Sequence, residues 1–195
     1  MSNQLRSRFI PVLLYSNKGF VKTFNFKDPQ YLGDPINVIK IFNEKHTNEI
    51  TIFDIDASSK GTEINFDLLK RVSRESRMPV CYGGGVKDLE TAEKLLSIGI
   101  EKISLSTAAI LDTTLIEKIS NRIGKQSVVI TLDVKKKWTG SYEIYINNGK
   151  TNTGISLTRF LSNLDYNFVG EVCINSIDKD GTNDGYDLSL IKKHY

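Results

Sequence analysis

Residues 55–62 read IDASSKGT and residues 177–182 read IDKDGT, each directly after a strand-like apolar run. A second pair shares that spacing, VLLYS at 12–16 and TLDVK at 131–135. Both offsets are about 120 residues, the span of four strand–helix units, so the chain reads as a repeat after four units. A fold duplicated after four βα units closes at eight. This repetition favours a (βα) barrel over a doubly wound sheet, which periodicity alone leaves open.

Outward from these repeats, short apolar runs alternate with helical patterns. The spacing predicts strands over Phe9–Ser16, Glu49–Asp56, Pro79–Gly85, Lys102–Thr107, Val128–Lys135 and Glu171–Asp178. They are β-branched and almost continuously apolar, as strands covered on both faces of a parallel sheet are. Helices are predicted over Asp34–Lys45, Asn65–Arg77, Asp88–Ser97, Asp112–Ile123 and Ser156–Leu164. Several open on Asp, Asn or Ser, which cap free helix N–H groups. Gly140–Asn148 alternates through Tyr142, Ile144 and Ile146 to an Asn-Asn-Gly turn, a hairpin beyond the fifth strand. Only six units fit before the chain stops at KKHY. The expected architecture is α/β, of the (βα)8 TIM-barrel family. It is one domain over residues 1–195, an incomplete barrel lacking the last two βα units.

A chain of 195 residues, 39% apolar and 25% charged, can bury a full core as one soluble domain. Its net charge of +3 is scattered, and Lys135-Lys136-Lys137 reads as a solvated turn rather than a nucleic-acid site. No apolar run reaches the ~18 residues of a membrane span. The opening MSNQLRSRF lacks the apolar core of a signal peptide. Cys81 and Cys173 each lie in an apolar run outside any Cys-x-x-Cys pair, which fits small buried residues in a reduced, cytoplasmic setting. His46 and His194 have no ligand-spaced partners, so neither a metal site nor a cofactor is expected.

YGGGVKDLETAEKLLSIG, EKISLSTAAI, TLDVK, TNTGISL and SIDKDGTNDGYD together carry a family resemblance that covers essentially the whole chain. They are similar to the cyclase subunit of imidazole glycerol phosphate synthase. That family is a (βα)8 barrel of histidine biosynthesis, a lyase-type enzyme. It takes ammonia from a partner glutaminase, splits a bis-phosphorylated substrate and closes an imidazole ring.

Gly83, Gly84 and Gly85 end the third predicted strand, where missing side chains let N–H groups approach an anion. Ser106 and Thr107 end the fourth, just before a helix, where hydroxyls and free N–H groups hold phosphate oxygens. The plainer reading is a glycine turn and a helix cap. The resemblance implies one phosphate pocket at the C-terminal strand ends, the active face of this fold. A Ser stands at 106 where the family usually has Asn. Asp180 and Gly181 would border the family's second phosphate pocket, whose other segments belong to units this chain lacks. Lys22 aligns with a lysine on a first loop that in the family closes over substrate.

The family places two aspartates at the barrel mouth for proton transfer. One aligns with Asp133 in TLDVK, and the other aligns with Leu14, which can neither take nor give a proton. General acid–base catalysis contributes about 100- to 10,000-fold, so ordinary cyclase activity is expected to be impaired. Arg8, Glu49, Lys102 and Glu171 fall at or just before four strand starts. The resemblance implies a charged gate there. In the family the glutaminase docks at this N-terminal face and ammonia enters along the barrel axis, so the resemblance implies the same here.

A retained gate beside an emptied catalytic position leads to an expected role. The chain is a synthase-like subunit that accepts ammonia from a glutaminase and serves amidation in surface-polysaccharide sugar biosynthesis, with a sugar amidotransferase as third partner. The alternative is true cyclase activity on the phosphorylated small molecule of histidine biosynthesis. An alternative of another class is a non-catalytic fragment or split-barrel scaffold, because six units would leave strands one and six as open apolar edges.

Overall fold

The computed structural model describes residues 8–16 and 19–194. Its strands are β1 (Val12–Ser16), β2 (Gly19–Phe24), β3 (Lys27–Gly33), β4 (Ile50–Asp54), β5 (Val80–Gly83), β6 (Lys102–Leu105), β7 (Val128–Lys136), β8 (Tyr142–Ile146), β9 (Thr151–Ser156) and β10 (Glu171–Ser176). The helices are α1 (Pro35–Glu44), α2 (Ile55–Lys60), α3 (Phe66–Glu75), α4 (Leu89–Ser97), α5 (Thr107–Leu111), α6 (Thr114–Ile123), α7 (Leu157–Asn163) and α8 (Leu188–His194). β1, β4, β5, β6, β7 and β10 pair in that order, all parallel. Each neighbour is the next βα unit in sequence, the progression of a TIM-type barrel.

The runs that read as continuously apolar divide cleanly by face, because side chains alternate along a strand. One face carries Ile50, Ile52, Val80, Tyr82, Ile103, Leu105, Ile130, Leu132 and Val134, all buried in one core with Leu69, Val72, Leu95 and Ile119 of the helices. Burying one such aliphatic side chain stabilises by about 1.5–3 kcal/mol. The opposite face carries smaller and polar groups, and it is this face that builds the site. Helix starts follow the sequence reading. Asp34, Asn65, Asp88 and Ser156 accept from the N–H groups of Asn37, Leu68, Thr91 and Arg159. Such caps contribute about 1 kcal/mol each.

Four features depart from expectation. β1 begins at Val12 rather than Phe9. The segment Asp112–Ile123 is preceded by a separate helix, α5, which starts directly after Ser106. Asp112 lies between the two helices and accepts from the Thr114 N–H at 3.0 Å, at the start of α6. IDASSK folds as α2, because the buried Asp54 carboxylate accepts from the N–H groups of Asp56 and Ala57. The hairpin predicted beyond the fifth strand is larger than expected. β7 runs on to Lys136 and pairs with β8, and β8 pairs with β9 around Asn147 and Asn148, both in left-handed backbone.

The open edge expected for the first strand is half covered. β2 pairs antiparallel with Leu14–Ser16 of β1, and β3 adds outside it. No helix among the described residues is long and apolar enough to cross a membrane.

Candidate functional site

Four charges close a ring at the N-terminal end of the parallel strands. Glu49 accepts from Lys102 Nζ at 2.8 Å and from Arg8 Nη1 at 3.1 Å. Glu171 accepts from the same two cations, at 2.9 Å and 2.7 Å. Every member therefore contacts both opposite charges. Glu49 is buried, with only 3% of its surface exposed, whereas the Arg8 side chain is half exposed. Desolvation works against a charged Lys102. The hydrogen bonds and charges of Glu49 and Glu171 outweigh it and hold the ammonium above its ordinary pKa. Burial also works against a charged Glu171, and Lys102 and Arg8 hold that carboxyl below its ordinary range.

From this ring the alternation of the strands carries one face upward. Glu49, Thr51 and Phe53 share it on β4, Lys102 and Ser104 on β6, Thr131 and Asp133 on β7, and Glu171, Cys173 and Asn175 on β10. At about 3.3 Å per residue, Asn175 lies roughly 13 Å along β10 from Glu171. Between the two ends the face carries the hydroxyls and thiols of Thr51, Cys81, Ser104, Thr131 and Cys173 together with the apolar Phe53 and Val129. Ser104 and Thr131 are buried and hydrogen-bonded to each other at 2.6 Å. Burial pushes the Cys81 thiol up to about 12 and the Cys173 thiol up to about 11, so both stay protonated and unreactive near neutrality.

At the upper end a small open cleft is lined by Phe53, Asp54, Gly83, Ser106, Thr107 and Asp133, among others. Burial pushes the Asp133 carboxyl up to about 7. A hydrogen bond from Asn175 acts against this rise, and the charge of Asp180 adds to it. A carboxyl poised there can take or give a proton near neutrality. The position opposite in the internal repeat, Leu14, lies in register with Phe53 on the adjacent strand. That wall of the mouth is apolar.

The remaining predicted residues divide into those the fold brings to the cleft and those it employs elsewhere. Ser106 and Thr107 reach the cleft together with Gly83 and Gly84. The glycines also have a packing reason to be there. A Cβ on Gly84, whose φ is +123°, would collide with the Asp54 carbonyl. Gly85 packs against Ala57 and Ile64 and does not line the cleft. The Thr107 hydroxyl accepts from the Asn147 N–H at 3.2 Å, which ties the β8–β9 turn to the rim. Lys22 is exposed on β2.

Asp180 holds the β2–β3 hairpin across the mouth. Its carboxylate accepts from the Thr23 hydroxyl at 2.7 Å and the Phe26 N–H at 2.8 Å, and its carbonyl accepts from the Asn25 N–H at 3.0 Å. Gly181 permits this approach, since a Cβ there would strike the Thr23 carbonyl. Asp54, Asp56 and Asp178 serve local structure. Asp54 caps α2, Asp56 accepts from the Ser16 hydroxyl and pairs with Lys60, and Asp178 accepts from the Lys136 N–H.

Asn175, whose amide donates to the cleft residue Asp133, is a residue that the sequence reading missed. Its partner became visible only through the β7–β10 register. Among the described residues, no three His, Cys, Asp or Glu side chains converge as metal ligands.

With this geometry established, comparison with known proteins is informative. Residues 8–195 match the model of a family described as histidine biosynthesis protein. A Vibrio vulnificus protein named putative imidazole glycerol phosphate synthase subunit hisF3 is 45% identical over 97% of this chain and 73% of its own length. A Leptospira borgpetersenii protein named putative imidazole glycerol phosphate synthase subunit HisF is 46% identical over 97% of this chain and 75% of its own. The imidazole glycerol phosphate synthase subunit HisF of Lactococcus lactis subsp. cremoris is 38% identical over 96% and 73%.

Proposed function

The chain belongs to the histidine biosynthesis protein family, and from that premise we propose that it is a synthase subunit of the imidazole glycerol phosphate synthase type. Ammonia from a glutaminase docked at the N-terminal face enters through the ring of Arg8, Glu49, Lys102 and Glu171. It then follows the inward face and reacts at the cleft beside Asp133. The observation that carries this reading is the single face linking the closed ring to the Asp133 carboxyl, which burial lifts to about 7.

The parts divide the work as follows. Arg8 is the most exposed ring member, so it is the one a docking partner reaches. Displacing it opens the ring while Glu49 and Lys102 remain paired. A passage along this face meets hydroxyls, thiols and the apolar Phe53 and Val129 but, among the described residues, no charged side chain between the ring and Asp133, which suits neutral ammonia rather than ammonium. At the mouth, Gly83, Gly84, Ser106 and Thr107 hold one phosphate of the substrate. Asp133 moves the protons of ring closure.

Two assays test this reading. The bis-phosphorylated precursor of histidine biosynthesis is supplied with ammonium salt at alkaline pH, where free ammonia is abundant. Turnover above a buffer blank is expected, and its absence removes the cyclase half of the proposal. Mixing with a glutaminase subunit is expected to stimulate glutamine hydrolysis; neither complex nor stimulation removes the ammonia-receiving half.

Leu14 favours a second reading, in which ammonia passes to another acceptor, such as a sugar carried by a sugar-modifying amidotransferase of surface-polysaccharide synthesis. Stimulated glutamine hydrolysis with the histidine precursor left unconsumed is the outcome that favours it.

A further inference from the structure

β7 and β10 are adjacent parallel strands, and their register sets Asn175 directly beside Asp133. The Asn175 amide nitrogen donates to Asp133 Oδ1 at 3.2 Å. Among the described residues, the other Asp133 oxygen makes no hydrogen bond, and Asp133 lines the cleft. Its counterpart in the internal repeat, Leu14, offers no polar atom to orient a carboxyl or a substrate. The amide is thus the polar side chain that fixes this carboxyl.

We propose that Asn175 is the positioning residue for proton transfer in this protein. Its amide holds one oxygen of Asp133 and leaves the other for substrate, at a mouth whose other lining carboxyl, Asp54, is engaged as the α2 cap. The inference rests on the reading of Asp133 as the proton-transfer group.

The chemistry favours an amide at this place. A donor N–H stabilises the charged carboxylate, whereas burial stabilises the neutral acid. An aliphatic residue at 175 would leave burial unopposed. A second carboxyl would repel the first.

The other groups around Asp133 do not supply this balance. Asp180, in the loop after β10, adds negative charge and pushes the carboxyl further toward neutrality. Cys173 of β10 is protonated, and Tyr145 of β8 stands opposite Asp133 in the sheet. Asp178 is engaged with the Lys136 N–H. Asp54 shares the cleft but is occupied as the α2 cap. Lys102 and Glu171, on the strands flanking β7, are bound to each other at the far end of the face.

The test reads the carboxyl itself. Carbon-13 NMR titration of the side-chain carboxyls, with the Asp133 signal assigned by its loss in Asp133→Asn, is expected to give a midpoint near 7 in the unaltered protein. In Asn175→Leu the midpoint rises by about one pH unit. The pH profile of ammonium-driven turnover moves in the same direction. A midpoint unmoved in Asn175→Leu overturns the proposal. Should that variant fail to fold, Asn175→Asp decides. Two carboxyls within hydrogen-bond distance titrate in two well-separated steps, and a single unsplit step overturns the proposal. The titration needs neither substrate nor glutaminase, so failure of the functional reading and failure of this inference are seen separately.

Discussion

At the lower end of the barrel Glu49 lies buried between Arg8 and Lys102; at the upper end Asp133 lies beside an amide, with Leu14 at the opposite repeat position. Both are carboxyls on the inward face. Glu171, a ring member with two cations in contact, is held below the ordinary carboxyl range, whereas Asp133 is pushed up to about 7. Burial raises the cost of charge at both ends. What differs is the partner, since two cations outweigh that cost and one neutral amide only moderates it. The ion ring therefore holds its carboxyls charged, whereas the amide-bonded carboxyl titrates near neutrality.

The comparison is broken most directly at the top. Asp133→Asn is expected to lower ammonium-driven turnover of the histidine precursor by about 100- to 10,000-fold. Near-unchanged kcat would show that Asp133 is structural. At the bottom, Glu49→Ala leaves Lys102 and Arg8 with Glu171 as their shared carboxylate. A loss of about 1.5–3 kcal/mol in chemical denaturation is expected, the size of charge-assisted hydrogen bonds removed while a second partner stays. A smaller loss would mean that the ring is open to water.

Placing an acid at Leu14 sharpens the contrast. Leu14→Asp is expected to raise precursor turnover at least about tenfold, measured with ammonium salt to bypass the partner. An unchanged rate would mean that the absence of an acid at this position is not what limits the chemistry.

Smaller effects follow from linkage. The folded-state pKa of Asp133, about 7, lies above its ordinary value of 3.8. Its contribution to stability is therefore fully present below the lower value and lost as pH rises through the upper one. Asp133→Asn escapes that loss. Its melting temperature relative to the unaltered protein should rise between pH 5 and pH 8, and a flat difference would place the carboxyl in water. The smallest effect belongs to Arg8→Ala, because the side chain is half exposed. Under about 1 kcal/mol of stability should be lost, while glutaminase-driven turnover changes more than ammonium-driven turnover.

Much of the site could be read along the chain. Asp133 and the four ring charges were visible as polar residues interrupting or opening apolar strands. Asn175 was not, because an Asn near a strand end carries no signal until a neighbouring strand supplies its partner. Asp180 and Gly181 invited an anion-pocket reading. In the fold they meet the β2–β3 hairpin, a contact between residues more than 150 positions apart. The glycine run illustrates a third case. Its need for glycine was legible, while the close approach of the Asp54 carbonyl to Gly84 required coordinates.

The chain's own order of residues determined the barrel units, the caps of its helices, the charges at the strand starts and an apolar side chain at Leu14. These depend on local periodicity and on what a side chain can chemically do. Only the tertiary structure decided which charges met, which oxygen of Asp133 was held, and where the hairpin docked. Each of those depends on strand register and chain crossing, which bring together residues that share no local pattern.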